Sequence, residues 1–147
     1  MTFNPDMKIQ KAIKRTYRQW LEKEAWRLFS LLVRQSEADE NGICKCFDGC
    51  GKMAHWRNMD AGHFMSIKRN ATKYDRKNVH PQSRLCNRFS EGKKFQYAKQ
   101  LDLKYGQGTA EALEQKSLMN CKRTAFDLQY MIQEFKSELI KNNFQIR

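Results

Sequence analysis

Early in the chain, apolar residues return at steps of three and four. Ile9, Ile13, Tyr17, Trp20, Leu21, Ala25, Leu28 and Leu32 form one stripe, while Lys11, Lys14, Arg15 and Arg18 lie largely off it. That spacing is the period of an amphipathic helix, basic in its first half. Asn4-Pro5-Asp6 supplies a start, with Asn4 capping, Pro5 at the first helical position and Asp6 complementing the helix dipole. Asn41-Gly42 is expected to end the helix.

The period then breaks. Residues 43–87 hold three of the seven glycines, four of the five cysteines and all three histidines. The expected structure is a cysteine-bearing turn, then short strands around 60–64 and 78–82 joined by a basic loop. Helix resumes near Arg84, interrupted near Gly92, with Phe95, Ala98 and Leu101 on its buried side up to Tyr105-Gly106. Thr109 is expected to cap a helix running to about Leu118. Thr124 is expected to cap another, with Leu128, Met131, Ile132, Phe135 and Leu139 on one face. Cys121, between these two, reads as a structural thiol. The divisions are an N-terminal basic helix over 1–42, a cysteine- and histidine-bearing core over 43–106, and a helical extension over 107–147.

Composition narrows the class. A 147-residue chain with 40% hydrophobic and 12% aromatic residues suits one domain with a modest core, and 30% charged residues give it a wet surface. The formal net charge is +12, concentrated between Lys52 and Lys99, where twelve Lys or Arg face three acids. Such a field attracts a polyanion, and counterion release makes nucleic acid the leading partner. No apolar run is long enough to span a membrane, and MTFNPDMKIQ lacks the apolar core of a signal peptide. Cytoplasmic location is the expectation, and five cysteines in a reducing compartment point to metal ligands or buried thiols rather than disulfides.

Cys46-Phe-Asp-Gly-Cys50-Gly51 has the tight-turn spacing that brings two thiolates onto one zinc ion, and Cys86 offers a third. Ser83 stands where a Cys-x-x-Cys pair would put a fourth thiolate, and its hydroxyl is a poor zinc ligand. Cys44 is the leading substitute, with His80 a second candidate and buried free thiols the rival reading.

Between the cysteine groups lie Asp60-Ala-Gly-His63 and Asn78, with Asn87 directly after Cys86. Phosphodiester hydrolysis needs a base to deprotonate water and a divalent cation to polarise the phosphate. A histidine near Mg²⁺ or Mn²⁺ held by Asp and Asn oxygens meets both needs.

CFDGCG, DAGHF, KYDRKNVHPQ and LCN, followed by YGQGTAEALE, resemble the phage NinG (Rap) recombination endonucleases, relatives of the HNH, or His-Me finger, nucleases. The resemblance covers roughly residues 44–115. It implies a mostly helical α+β fold with a small ββα-metal core and a structural zinc knuckle, flanked by N-terminal and C-terminal helices. It also implies a phage-encoded enzyme in a bacterial host that cuts branched recombination intermediates such as Holliday junctions or D-loops. Carried over by motif, His63 is the general base, Asn78 holds the hairpin and orients the histidine, and Asn87 is a ligand of the catalytic cation. Gly62 departs from the HNH pattern by standing where an acid or histidine precedes the base. Asp60 is therefore the candidate second ligand, which requires a sharp turn at Ala61-Gly62. His80 fits the family pattern too, and four roles stay open for it: support for the site, a zinc ligand, a phosphate contact, or ordinary packing.

Lys68, Arg69, Lys73, Arg76 and Lys77 crowd the inter-strand loop, with Arg84 and Arg88 beyond it, and are expected to contact phosphates flanking the cut. Trp56 reads as core. Junction binding often uses symmetric dimers, and the first helix offers an interface. Two rivals stand beside this reading: a noncatalytic zinc-stabilised DNA-binding recombination protein, and an HNH nuclease that nicks ordinary duplex DNA.

Overall fold

The computed structural model describes residues 5–89 and 93–147. The Asn4 cap and the break near Gly92 lie outside them. In chain order the elements are helix α1 (Pro5–Ser36), strands β1 (Ile43–Lys45) and β2 (Met53–His55), a single 3-10 turn, strands β3 (Met59–His63) and β4 (Val79–Ser83), then helices α2 (Arg84–Phe89), α3 (Lys94–Tyr105), α4 (Thr109–Ser117) and α5 (Ala125–Lys141). The fold is mixed α+β and mostly helical, with two separate two-stranded antiparallel sheets, β1 with β2 and β3 with β4. No helix is long and apolar enough among the described residues to cross a membrane.

The chain divides into two compact units, one of residues 1–29 with 123–147 and one of residues 30–122. In the first, Leu21, Ala25, Leu28 and Phe29 of α1 are buried, as are Leu128, Ile132, Phe135 and Leu139 of α5. The Phe29 and Phe135 rings lie 5.3 Å apart. The stripe on α1 is therefore only half used: Ile9, Ile13, Tyr17 and Trp20 remain exposed. Thr124 caps α5 as expected, in a reciprocal box with Asp127.

The second unit carries the chemistry. Its core gathers Phe64, Met65, Tyr97, Leu101 and Leu113, with Phe47, Ala98, Tyr105 and Ala110 packed against it. Phe64, Met65, Leu101 and Leu113 each contribute on the order of 1.5–3 kcal/mol by leaving water. Tyr97 also donates its hydroxyl to the Gly62 carbonyl at 2.8 Å, tying α3 to β3. Trp56 is core, as its apolar bulk suggested.

Four local expectations differ. Phe95, expected on the buried side of α3, is exposed, and Tyr97 stands in the core instead. α1 stops at Ser36, short of Asn41-Gly42, because the Asp39 carboxylate accepts from the amides of Asn41 (2.9 Å) and Ile43 (2.8 Å) and so builds a turn that competes with helix. The cysteine turn is framed by a hairpin, with Cys44 opposite Ala54. α4 has Gly108 at its N-cap in the left-handed region, while the Thr109 hydroxyl donates to the Gly106 carbonyl.

Candidate functional site

Four potential ligand atoms converge at the tip of the β1–β2 hairpin and the start of α2. The sulfurs of Cys46, Cys50 and Cys86 and a carboxylate oxygen of Asp48 all lie within 4.8 Å of one another, a cluster that can hold a metal ion. Local sequence explains the convergence. The Cys46 amide bonds the Lys52 carbonyl (2.8 Å), closing the loop, and Gly49 and Gly51 take positive φ angles of 78° and 82°. The Phe47 amide bonds the Pro81 carbonyl (2.9 Å), fastening this loop to β4. The Cys50 and Cys86 sulfurs are 3.7 Å apart, against about 3.8 Å for the edge of a tetrahedron with zinc–sulfur bonds of about 2.3 Å.

Of the residues expected here, the structure brings together Cys46, Cys50 and Cys86 but not Cys44. The Cys44 thiol is fully buried elsewhere and donates to the Arg34 carbonyl at 3.2 Å. Burial pushes its pKa up to about 11, with Glu37 adding to the shift. Its place in the cluster is taken by Asp48, which in the sequence reads as an ordinary turn residue. Ser83 caps a helix instead of binding metal. Its Oγ accepts from the Cys86 amide at 3.2 Å, the side-chain bond of a cap at the start of α2.

His80 does not join the cluster. It is fully buried, its ring stacked on Phe47 at 3.8 Å, with Nδ1 bonded to the Glu37 carboxylate and Nε2 3.3 Å from the Tyr105 hydroxyl. A carboxylate only accepts, so Nδ1 carries a proton. Packing and the Glu37 contact account for this histidine.

The second group of residues lies on β3, β4 and α2. β3 and β4 pair in register, with His63 opposite Val79, Gly62 opposite His80 and Asp60 opposite Gln82. α2 follows β4 without a break. His63 places Nε2 3.0 Å from the Lys73 carbonyl. A carbonyl only accepts, so Nε2 carries the proton and the lone pair falls on Nδ1. Burial lowers the His63 pKa to about 4, with the Lys73 charge acting in the same direction against the bond to its carbonyl. The imidazole is neutral at physiological pH.

Asn78 is fully buried. Its Oδ1 accepts from the Met65 amide (2.7 Å), and its Nδ2 donates to the carbonyls of Met65 and Thr72 (both 3.0 Å). It thereby holds both ends of the inter-strand loop. The loop is a succession of turns in which Ser66, Arg69, Thr72 and Asp75 carbonyls bond the amides of Arg69, Thr72, Asp75 and Asn78. Lys68, Arg69, Arg76 and Lys77 project into solvent from it, and Lys73 is half-buried.

Asp60 and Asn87 meet, with Asn87 Nδ2 donating to Asp60 Oδ2 at 3.0 Å. Arg88 forks onto the same carboxylate at 2.9 and 3.1 Å, and Arg84 stands 3.8 Å away. Carboxylate and amide oxygens are donors that suit a hard divalent cation. A cation at Asp60 has to share the carboxylate with the Arg88 guanidinium. The sharp turn expected at Ala61-Gly62 is absent: β3 is continuous, so alternation sets Asp60 and His63 on opposite faces of the strand. Gly62 serves close packing instead, since a Cβ there would come within 2.0 Å of Gln82 Oε1.

No curated protein and no solved structure matches this chain. The family model described as "Bacteriophage Lambda NinG protein" matches it over residues 4–143, a span that includes both groups of site residues. The chain belongs to the bacteriophage lambda NinG family.

Proposed function

We infer that the protein is a metal-dependent DNA endonuclease acting on branched recombination intermediates. Membership of the NinG family suggests a phage recombination-related role. The observation that carries the catalytic reading is His63: a half-buried imidazole, neutral at physiological pH, whose Nε2–H is held by the Lys73 carbonyl, which makes Nδ1 the basic nitrogen of the ring.

In this reading β3, β4 and α2 form a His-Me finger. His63 Nδ1 takes the proton of the attacking water. Asn78 acts through the loop backbone to fix the carbonyl that orients the imidazole. Asp60 and Asn87 would hold Mg²⁺ or Mn²⁺, which when bound polarises the phosphate and stabilises the leaving oxygen; because continuous β3 sets Asp60 and His63 on opposite faces, their joint action requires the strand to turn at Ala61-Gly62 when metal and DNA bind. Lys68, Arg69, Lys73, Arg76 and Lys77, with Arg84 and Arg88, neutralise phosphates on either side of the cut and position the strand. Arg88 can turn from Asp60 to phosphate, since its side chain is 59% exposed. The Cys46, Asp48, Cys50 and Cys86 cluster binds a structural zinc that anchors α2 to the β1–β2 hairpin. Two copies of the protein would suit a two-fold symmetric junction.

The test compares cleavage of four-way, forked and linear DNA with Mg²⁺ or Mn²⁺, using the unaltered protein and His63→Ala. Branched DNA is expected to be cut, and removal of the base should slow cutting by roughly 100-fold or more with binding retained. Failure of the unaltered protein to cut with either metal, while it still binds DNA, would leave a noncatalytic binding protein. Equal cutting of linear duplex would make it a nicking enzyme.

A further inference from the structure

We propose that Asp48 is the fourth ligand of the zinc site, making it a three-thiolate, one-carboxylate centre in which neither Cys44 nor Ser83 takes part. The proposal rests on the reading that the cysteine cluster holds zinc. It identifies a residue of this chain that Cys-x-x-Cys spacing does not reveal.

Three observations carry it. Asp48 is 4% exposed, one of its carboxylate oxygens lies within 4.8 Å of all three cysteine sulfurs, and its Oδ2 has no hydrogen-bond partner of normal geometry. A buried carboxylate oxygen left in that condition is costly, and a cation relieves it. Its other oxygen is engaged: Oδ1 accepts from the Cys50 amide at 2.9 Å, which fixes the carboxylate and leaves Oδ2 as the oxygen a cation can take. The alternatives are both committed. Ser83 Oγ caps α2, and the Cys44 thiol donates to the Arg34 carbonyl.

The charge balance is consistent. Three thiolates and one carboxylate around Zn²⁺ leave two net negative charges, and Lys52 Nζ lies 4.0 Å from Cys86 Sγ to offset part of them. Zinc supplies no electrons and none are exchanged. Each cysteine loses its thiol proton to buffer as its Zn–S bond forms, and Asp48, already ionised at neutral pH, loses none.

That proton count is the test. At about pH 6.5 free thiols are protonated, so calorimetric titration of the apo-protein with Zn²⁺, repeated in buffers of different ionisation enthalpy, counts the protons released. The unaltered protein should release three per zinc, one for each cysteine of the cluster. Cys44→Ser should release the same number with unchanged affinity. Asp48→Asn keeps the acceptor for the Cys50 amide and should bind zinc at least about 100-fold more weakly, since even outer partners of a metal ligand are worth about 10–100-fold. Asp48→Cys should restore tight binding and add one proton, which also separates ligand loss from misfolding. Native zinc affinity in Asp48→Asn, loss of a proton in Cys44→Ser, or absence of zinc binding by the unaltered protein would each overturn the proposal. None of these readouts uses DNA, so the nuclease reading can fail while this one stands.

Discussion

Asn78 reaches His63 through a single peptide unit. Its Nδ2 donates to the Thr72 carbonyl at 3.0 Å, and the next carbonyl along the chain, that of Lys73, lies 3.0 Å from His63 Nε2. A change at the asparagine is therefore transmitted to the imidazole by backbone, with no shared side-chain bond required.

Asn78→Ala should be expensive. It removes three hydrogen bonds at a fully buried position and leaves the Met65 amide and two carbonyls to find other partners. Each unsatisfied buried group costs about 1–3 kcal/mol, so a loss of roughly 3 kcal/mol or more is expected in urea unfolding. Asn78→Asp retains the acceptor for Met65 but sets a buried carboxylate against the carbonyls of Met65 and Thr72, and should cost at least as much. A loss below about 1 kcal/mol for the alanine variant would show that the loop is held by something else.

The depressed pKa of His63 sets two pH dependences. In the proposed reaction the residue is a base that works in its neutral form, so the acidic limb of kcat/KM for DNA cleavage should fall near pH 4 rather than near its ordinary 6.5. For stability the sign follows from proton uptake. Between about pH 4 and 6.5 the unfolded chain binds a proton at this site that the folded chain does not. The contribution is thus complete above 6.5 and is lost as pH falls towards 4. Imidazole resonances followed by NMR give the pKa directly, and a midpoint at or above 6.5 would contradict both expectations.

Arg88→Ala should barely move stability, because an ion pair with a 59% exposed side chain is worth about 0–1 kcal/mol. In the proposed nuclease its effect falls on DNA binding. Loss of one phosphate contact should reduce the slope of log affinity against log salt by about one. An unchanged slope would assign Arg88 solely to Asp60.

Ser83→Ala tests the separation of cap from ligand. Losing the bond to the Cys86 amide should cost about 0.5–2 kcal/mol in thermal or urea unfolding. Zinc affinity, measured on the same preparation, should change by much less than in Asp48→Asn. A collapse of zinc binding in Ser83→Ala would return the hydroxyl to the metal.

Much of the scaffold is legible in the residues. Leu21, Ala25 and Leu28, like Leu128, Ile132, Phe135 and Leu139, repeat at helical spacing because each must face one core, and Thr124 with Asp127 is a capping pair written in sequence. The hairpin of β1 and β2 leaves no such trace, since three-residue strands are too short for alternation to register. Nor does the half-used stripe on α1, because periodicity reports which residues share a face and not whether anything covers it. At the candidate site, His63, Asn78 and three cysteines are visible as chemistry-bearing types. Asp48 and Ser83 are not, because each has a common turn or cap role that conceals or replaces a metal role. Only the burial of Asp48 Oδ2 without a hydrogen-bond partner and the engagement of Ser83 Oγ separate these roles.

The chained turns from Ser66 to Asn78 bear on how DNA would be met. A loose basic loop must surrender backbone freedom when it touches phosphate, at about 1–2 kcal/mol for each residue ordered. Here successive carbonyl–amide bonds and the buried Asn78 side chain have fixed the backbone before any strand arrives. The lysines and arginines are thus carried on a preformed mount. Association should therefore resemble docking onto a preformed surface, with little folding coupled to binding, and a heat-capacity change small for the area covered.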